Sequence, residues 1–206
     1  IFWLVWMQNI VGWSSGVDGQ LPGFVIVAAI TMALLGLRFG AYQNQTLVVI
    51  LALATAGSYA GFLPFNWYPQ KMLPGYGGKS LAGFLLGTLA ILSSAKVGAM
   101  VLVLGIPILD AVRVIIKRLS EGRSPVWGGH EHFHHYLLDL GWGRRRIAIF
   151  YWVVSGILSI LALNLNSGAK YFTMALGALL FFGLFAWWNY WSISQKPRGP
   201  DNGSKT

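Results

Sequence analysis

With 206 residues, 55% of them hydrophobic and only 10% charged, and ten tryptophans, the sequence excludes an ordinary soluble domain and places the chain in a bilayer. The net charge of +9 does not indicate nucleic acid, because the basic residues sit in short connections between apolar segments and no nucleic-acid motif accompanies them. Cysteine is absent, which excludes disulfides and thiolate metal sites.

The chain opens on IFWLVWM, an apolar stretch without a basic flank and shorter than the roughly 20 residues a span needs. Residues 1–8 read as the tail of a helix, and the chain as a piece whose upstream helices are missing. Six runs follow that are long enough to span or nearly span: 21–37, 46–64, 81–95, 97–116, 147–164 and 171–193. The expected fold is therefore all-α, a polytopic transmembrane bundle over 1–193. Lys96 alone separates the third and fourth runs, which predicts a tight hairpin. Run 81–95 carries Ala82, Gly83, Gly87 and Ala90, small residues suited to close helix packing. Residues 194–206, polar and rich in Pro and Gly, read as a disordered tail.

Alternate connections divide the basic residues unequally. One side holds Lys71, Lys79, Lys117, Arg118, Arg123, Arg144, Arg145, Arg146, Lys196, Arg198 and Lys205; the other holds Arg38, Lys96 and Lys170. Positive residues are retained in the cytoplasm, so connections 9–20, 65–80 and 117–146 are expected on the cytoplasmic face of a bacterial-type plasma membrane.

The polar motifs fall in those three connections. All four histidines, His130, His132, His134 and His135, lie within SPVWGGHEHFHH. His130-Glu131-x-x-His134 matches the H-E-x-x-H zinc hydrolase signature, but Ser124-Pro125 and Gly128-Gly129 upstream argue against a helix already formed there. Clustered imidazoles also donate to phosphate oxygens and move protons near neutral pH. Ser14-Ser15-Gly16-Val17-Asp18-Gly19 contains the only acidic residue of the first hundred. Pro74-Gly75-Tyr76-Gly77-Gly78-Lys79-Ser80 ends like a P-loop, yet the position of the first glycine is Leu73, so it reads as a flexible, anion-binding loop before a helix. Asp110 and Arg113, three apart on one helix face, are placed to pair.

Together these stretches resemble the polyprenyl-phosphate N-acetylhexosamine-1-phosphate transferases, glycosyltransferase family 4, nearest the branch acting on undecaprenyl phosphate and GlcNAc-1-phosphate. The resemblance is carried by Asn9 with Gly16-Val17-Asp18-Gly19; by Gly61-Phe62-Leu63-Pro64-Phe65-Asn66 through Gly75 and Gly83-Phe84; and by Pro107-Ile108-Leu109-Asp110 through Gly122-Arg123-Ser124-Pro125 and His132-Phe133-His134-His135. It implies transfer of a sugar 1-phosphate from a UDP-N-acetylhexosamine such as UDP-GlcNAc to polyprenyl phosphate, with magnesium, to begin a cell-wall or lipopolysaccharide intermediate. It implies that Asn9, Gly16, Val17, Asp18, Lys79 and Arg123 bind substrate. His132, His134 and His135 would hold the diphosphate or act in the reaction, and Asp110 and Arg113 would support their loop. A homodimer is left open.

The chain departs from the family pattern at Gly12 and Ser15, where the family has Asn and Asp, and at Tyr76, where it has the magnesium carboxylate. The family's upstream acidic pair is not in the chain, and Lys79 is a candidate replacement for lost metal charge. Two other readings stay open: a non-catalytic nucleotide-sugar or lipid-phosphate binder, and a membrane zinc hydrolase using His130, Glu131 and His134. Trp127, Phe133 and Tyr136 are candidates to stack on a sugar ring.

Overall fold

The computed structural model describes residues 1–39, 45–93, 96–124, 131–165 and 167–194. These form helices α1 (Phe2–Trp13), α2 (Gln20–Phe39), α3 (Thr46–Asn66), α4 (Gly75–Leu92), α5 (Val97–Val103), α6 (Gly105–Ser120), α7 (Phe133–Asp139), α8 (Arg144–Asn164) and α9 (Ser167–Ser194). The architecture is the expected all-α polytopic bundle.

Three helices are long and apolar enough to cross a membrane, Gln20–Arg38, Thr46–Asn66 and Arg144–Asn164, and α5 with α6 make a fourth if taken as one bent span. Helix α2 is the centre, mostly buried and packed against α3, α4 and α8. Helix α8 is less buried than α2, and its exposed Ile149, Val153, Ile157 and Ile160 recur at helical spacing along one face, as a lipid-facing stripe should. Between α2 and α8 the hydroxyls of Thr31 and Ser159 hydrogen-bond in the apolar interior, a polar tie of the kind that holds membrane helices together. Helix α1 crosses α4 closely because α4 presents Gly83 there. A β-carbon at that position would lie 2.5 Å from the Met7 carbonyl oxygen and the Gln8 Cα. The Trp3 indole N–H donates to the Gly87 carbonyl at 3.0 Å one turn further along.

The structure corrects several expected boundaries. Among the described residues, three or four helices meet the requirements of a span, not six. Run 97–116 is not one straight helix: it breaks at Leu104 and turns by 82°. Pro107 explains the position of the break, because a proline ring collides with the carbonyl four residues earlier. That carbonyl belongs to Val103, the last residue of α5. Run 81–95 belongs to a helix that begins at Gly75, so the supposed flexible loop 74–80 is largely the first turns of α4, where the Tyr59 hydroxyl of α3 donates to the Gly78 carbonyl at 2.7 Å. Connection 9–20 is helical as far as Trp13, and connection 117–146 contains the end of α6, all of α7 and the start of α8. Most of the hairpin turn beside Lys96 and nearly all of the tail 194–206 lie outside the described residues.

Candidate functional site

At one end of the bundle three segments meet: the turn 14–19 between α1 and α2, the connection 66–72 after α3, and the segment 131–135 that leads into α7. Lys96 marks the opposite end, where its ammonium donates to the Leu35 carbonyl near the end of α2 at 2.9 Å.

The histidine segment is held from beneath by α6. Past the 82° bend, α6 presents Asp110 and Arg113, both buried, with Arg113 Nη2 donating to Asp110 Oδ1 at 2.9 Å. The same oxygen accepts the Phe133 backbone N–H at 2.9 Å, and Asp110 Oδ2 lies 2.9 Å from His132 Nδ1. Arg113 also donates to the Glu131 carbonyl. Asp110 thus fixes both the start of α7 and the orientation of His132, leaving Nε2 as the free nitrogen of that ring. A second knot surrounds the Glu131 side chain. Its Oε2 accepts from Arg118 Nε at 2.7 Å, and its Oε1 lies 3.2 Å from Lys117 Nζ and 2.6 Å from Arg123 Nη2. Hydrogen bonds from Arg118 and Arg123 hold the carboxyl far below its usual range, at about 2.

These contacts overturn the zinc hydrolase reading. Helix α7 starts at Phe133 with His132 as its N-cap, so Glu131 precedes the helix, and, engaged by three cations, it is not poised as a base. His130 itself, with Trp127, lies outside the described residues. Phe133 is also corrected as a sugar-stacking candidate: its ring packs against Phe150, Tyr151 and Phe181, which turns it into the bundle.

His134 is buried and lies directly on Gly16, where a β-carbon would overlap the imidazole. Its ring lies 5.8 Å from that of His132, nearly parallel to it, and 4.2 Å from that of His135. Burial, reinforced by the charges of its two histidine neighbours, pushes its pKa down to about 3, so His134 is neutral across the physiological range. His134 Nδ1 is buried and has no hydrogen-bond partner. Lys79, in the second turn of α4, is half-buried against Gly12 of α1, and burial lowers its pKa. Its charge is felt at His134.

The turn 14–19 is built from its own residues and clamped from two sides. Gly19 has φ +77, a conformation glycine adopts without strain. Its N–H donates to Asn66 Oδ1 at 3.0 Å, and its carbonyl accepts from the Trp152 indole at 3.0 Å. Asp18 is buried; Oδ2 accepts the Gln70 N–H at 3.2 Å and Oδ1 meets Arg144 Nη1 at 3.4 Å. Val17 is buried beside it, its N–H donating to Gln20 Oε1 at 3.2 Å.

The structure therefore brings Gly16, Val17, Asp18, Lys79, His132, His134 and His135 to one end of the bundle, with Asp110 and Arg113 beneath. Arg123 sits at the edge, paired with Glu121 and Glu131. Asn9 differs from its expected loop position: it is within α1 and its amide donates back to the Val5 carbonyl at 2.8 Å. Asn66 and Arg144, the residues that clamp the turn, were not singled out as site residues. The only signal for Arg144 is the run Gly143-Arg144-Arg145-Arg146, which topology alone accounts for.

A magnesium site does not fit the described residues. Asp18, Asp110 and Glu131 are each engaged by cationic side chains, Tyr76 stands 83% exposed on the first turn of α4, and no group of three His, Asp or Glu among the described residues is placed to hold a metal ion.

Residues 1–94 match the profile of glycosyl transferase family 4. Over that stretch the chain is similar to this family. It is 26% identical over 180 residues to a probable undecaprenyl-phosphate N-acetylglucosaminyl 1-phosphate transferase of Bacillus subtilis, an alignment covering 84% of this chain and 49% of that protein. To a phospho-N-acetylmuramoyl-pentapeptide-transferase of Anoxybacillus flavithermus it is 32% identical over 169 residues, 81% of this chain and 50% of the relative. A protein of the same name from Moorella thermoacetica is 31% identical over 165 residues, covering 79% of this chain and 50% of its own length. The chain spans about half the length of the curated relatives it matches. Those alignments extend well past residue 94, and their length takes the family 4 likeness beyond the turn 14–19 and the start of α4.

Proposed function

We propose that the protein transfers an N-acetylhexosamine 1-phosphate from a UDP-sugar to a polyprenyl phosphate at the cytoplasmic surface of a bacterial plasma membrane, releasing UMP and beginning a cell-envelope lipid intermediate. The observation that carries this reading is the packing of His134 on Gly16, which joins the glycine turn to the histidine segment at the end of a membrane bundle, with Lys79 beside them. The names of the relatives supply the reaction class.

The chemistry is positioning and neutralisation of charge. A diphosphate donor and a lipid phosphate repel each other, so transfer requires cations and fixed hydrogen-bond donors around the reacting phosphorus. Here Lys79 and Arg123 supply charge. His132, oriented through Nδ1 by Asp110, keeps Nε2 available to donate to a phosphate oxygen when protonated or to accept a proton when neutral. His134, held neutral by burial, does not repel Lys79, and His135 stands beside it. The described residues do not make a magnesium site.

A second reading, a non-catalytic binder of nucleotide sugar or lipid phosphate, is favoured by one observation: Asp18, Asp110 and Glu131 are each engaged by cationic side chains and Tyr76 replaces the acidic residue of the family pattern. The deciding experiment supplies the protein in membranes with polyprenyl phosphate and labelled UDP-N-acetylhexosamines, with and without magnesium, and follows label into lipid. Label that disappears in His134→Ala supports the transferase; UDP binding without label transfer supports the binder. Label independent of magnesium but lowered about a hundredfold in Lys79→Met would assign the missing charge to Lys79, whereas full activity in that variant would exclude it.

A further inference from the structure

A cavity of about 520 Å³ opens where α8 begins. Its lining includes Tyr68, Leu138, Trp142 and three consecutive arginines, Arg144, Arg145 and Arg146, with no histidine and no acidic residue among the described residues. The arginines are exposed and open the apolar span Arg144–Asn164, so the cavity stands where that helix enters the bilayer. The Arg144 and Arg145 guanidiniums lie 5.9 and 5.4 Å from the centre of the Tyr68 ring, and Arg145 Nη2 donates to the Tyr68 carbonyl at 3.1 Å. These contacts restrain two of the three side chains while leaving donors unused on both. Arg146 has no hydrogen-bond or ion-pair partner among the described residues.

Three adjacent guanidiniums held over one cavity repel one another, and an anion among them relieves that repulsion. The planar guanidinium fork suits phosphate oxygens, which it meets with two parallel hydrogen bonds. The apolar walls, Leu138 and Trp142, suit neither a free phosphate nor a nucleotide as well as they suit the glycerol and upper acyl carbons of a lipid, and Trp and Tyr favour the membrane interface. We propose that this cavity binds the phosphodiester headgroup of an anionic membrane lipid, taken from the leaflet at the Arg144 end of α8. This is a site apart from the histidine cluster, and it does not depend on the transferase reading. Arg144 also reaches Asp18, so the residues to change are Arg145 and Arg146.

The test reconstitutes the protein in nanodiscs of phosphatidylcholine mixed with phosphatidylglycerol, and measures by mass spectrometry which lipid stays bound after extraction. Wild type is expected to retain phosphatidylglycerol preferentially, with the preference falling about fivefold for each arginine lost in Arg145→Gln/Arg146→Gln. Arg146→Gln alone, which breaks no contact of the fold, is the variant to use if the double change impairs folding. Retention unchanged in Arg146→Gln overturns the proposal. Displacement of the lipid from wild type by inorganic phosphate or UDP also overturns it, since the site would then take soluble anions. An equal loss in Lys117→Gln, away from the cavity, overturns it as well by reducing the effect to general surface charge.

Discussion

The histidine segment is tied down by two charged knots that use the same residue types and are built for different ends. In the first, Asp110, Arg113 and His132 are buried, and the Asp110 carboxylate accepts from the guanidinium and the Phe133 N–H and meets the His132 ring. In the second, one carboxylate at Glu131 collects Lys117, Arg118 and Arg123, with Lys117 and Arg123 about half exposed. Burial makes each partner of the first knot indispensable, because a charge left alone there has no water to turn to. Redundancy and solvent make the second knot tolerant. The first therefore orients His132, and the second only gathers the segment that leads to it.

Removing one member of the buried knot should have the largest effect. Asp110→Ala strands Arg113 and frees both His132 and the start of α7. A loss of about 3–5 kcal/mol should be seen as a lower melting temperature in detergent, with loss of label transfer in the membrane assay. Asp110→Asn keeps the size but removes the charge, so it should retain more stability than Asp110→Ala while activity stays low. Equal behaviour of the two would show that packing, not charge, holds the loop.

Next in size is the contact that neither knot supplies. Gly16→Ala places a methyl group on the His134 ring, and displacing that ring by about 1 Å should cost about a hundredfold in transfer, with about 1–3 kcal/mol in stability from overpacking. The double variant Gly16→Ala/His134→Ala has room for the methyl. Its melting temperature should exceed that of Gly16→Ala alone, and a double variant that melts no higher would mean that the turn, not the ring, is what alanine disturbs.

The same histidine predicts a pH effect with a definite sign. His134 ionises near 6.5 when unfolded and at about 3 when folded, so between those values the unfolded chain holds the extra proton and stability falls as pH falls. The contribution is complete above about 6.5 and declines by about 1.4 kcal/mol per pH unit below it. Wild type should therefore lose melting temperature between pH 7 and pH 5 more steeply than His134→Gln. Parallel slopes would mean that the ring is not buried in the neutral form.

Much of the bundle is legible from hydropathy alone: runs 21–37, 46–64 and 147–164 fall within α2, α3 and α8, because a helix that crosses a bilayer must be apolar along its length whether it meets lipid or other helices. What hydropathy does not carry is direction. Run 97–116 stays apolar on both sides of the break at Leu104 as far as Asp110, and only Pro107 hints that the chain turns there and brings Asp110 to the histidines. The first turns of α4 read as a loop because four residues of Pro74-Gly75-Tyr76-Gly77-Gly78 are Pro or Gly, yet packing against Tyr59 and α1 overrides that local preference. The site was legible only by resemblance. Gly16 and His134 are far apart in the chain and nothing in their spacing says that they touch, while Arg144 was hidden among arginines that topology already explained.

The smallest expected effect belongs to the second knot. Glu131→Gln removes one carboxylate from three cations, but Lys117 and Arg123 can return to solvent and Arg123 keeps Glu121. The melting temperature should fall by only a small fraction of the Asp110→Ala change, and the difference from wild type should fade as salt is raised, since exposed pairs are screened within about 10 Å at 0.1 M ionic strength. The part that survives high salt belongs to Arg118, which is buried and has Glu131 Oε2 at 2.7 Å. If Glu131→Gln instead costs as much as Asp110→Ala at every salt concentration, the two knots are one unit joined through the Arg113 contact to the Glu131 carbonyl, and the division between orienting and gathering fails.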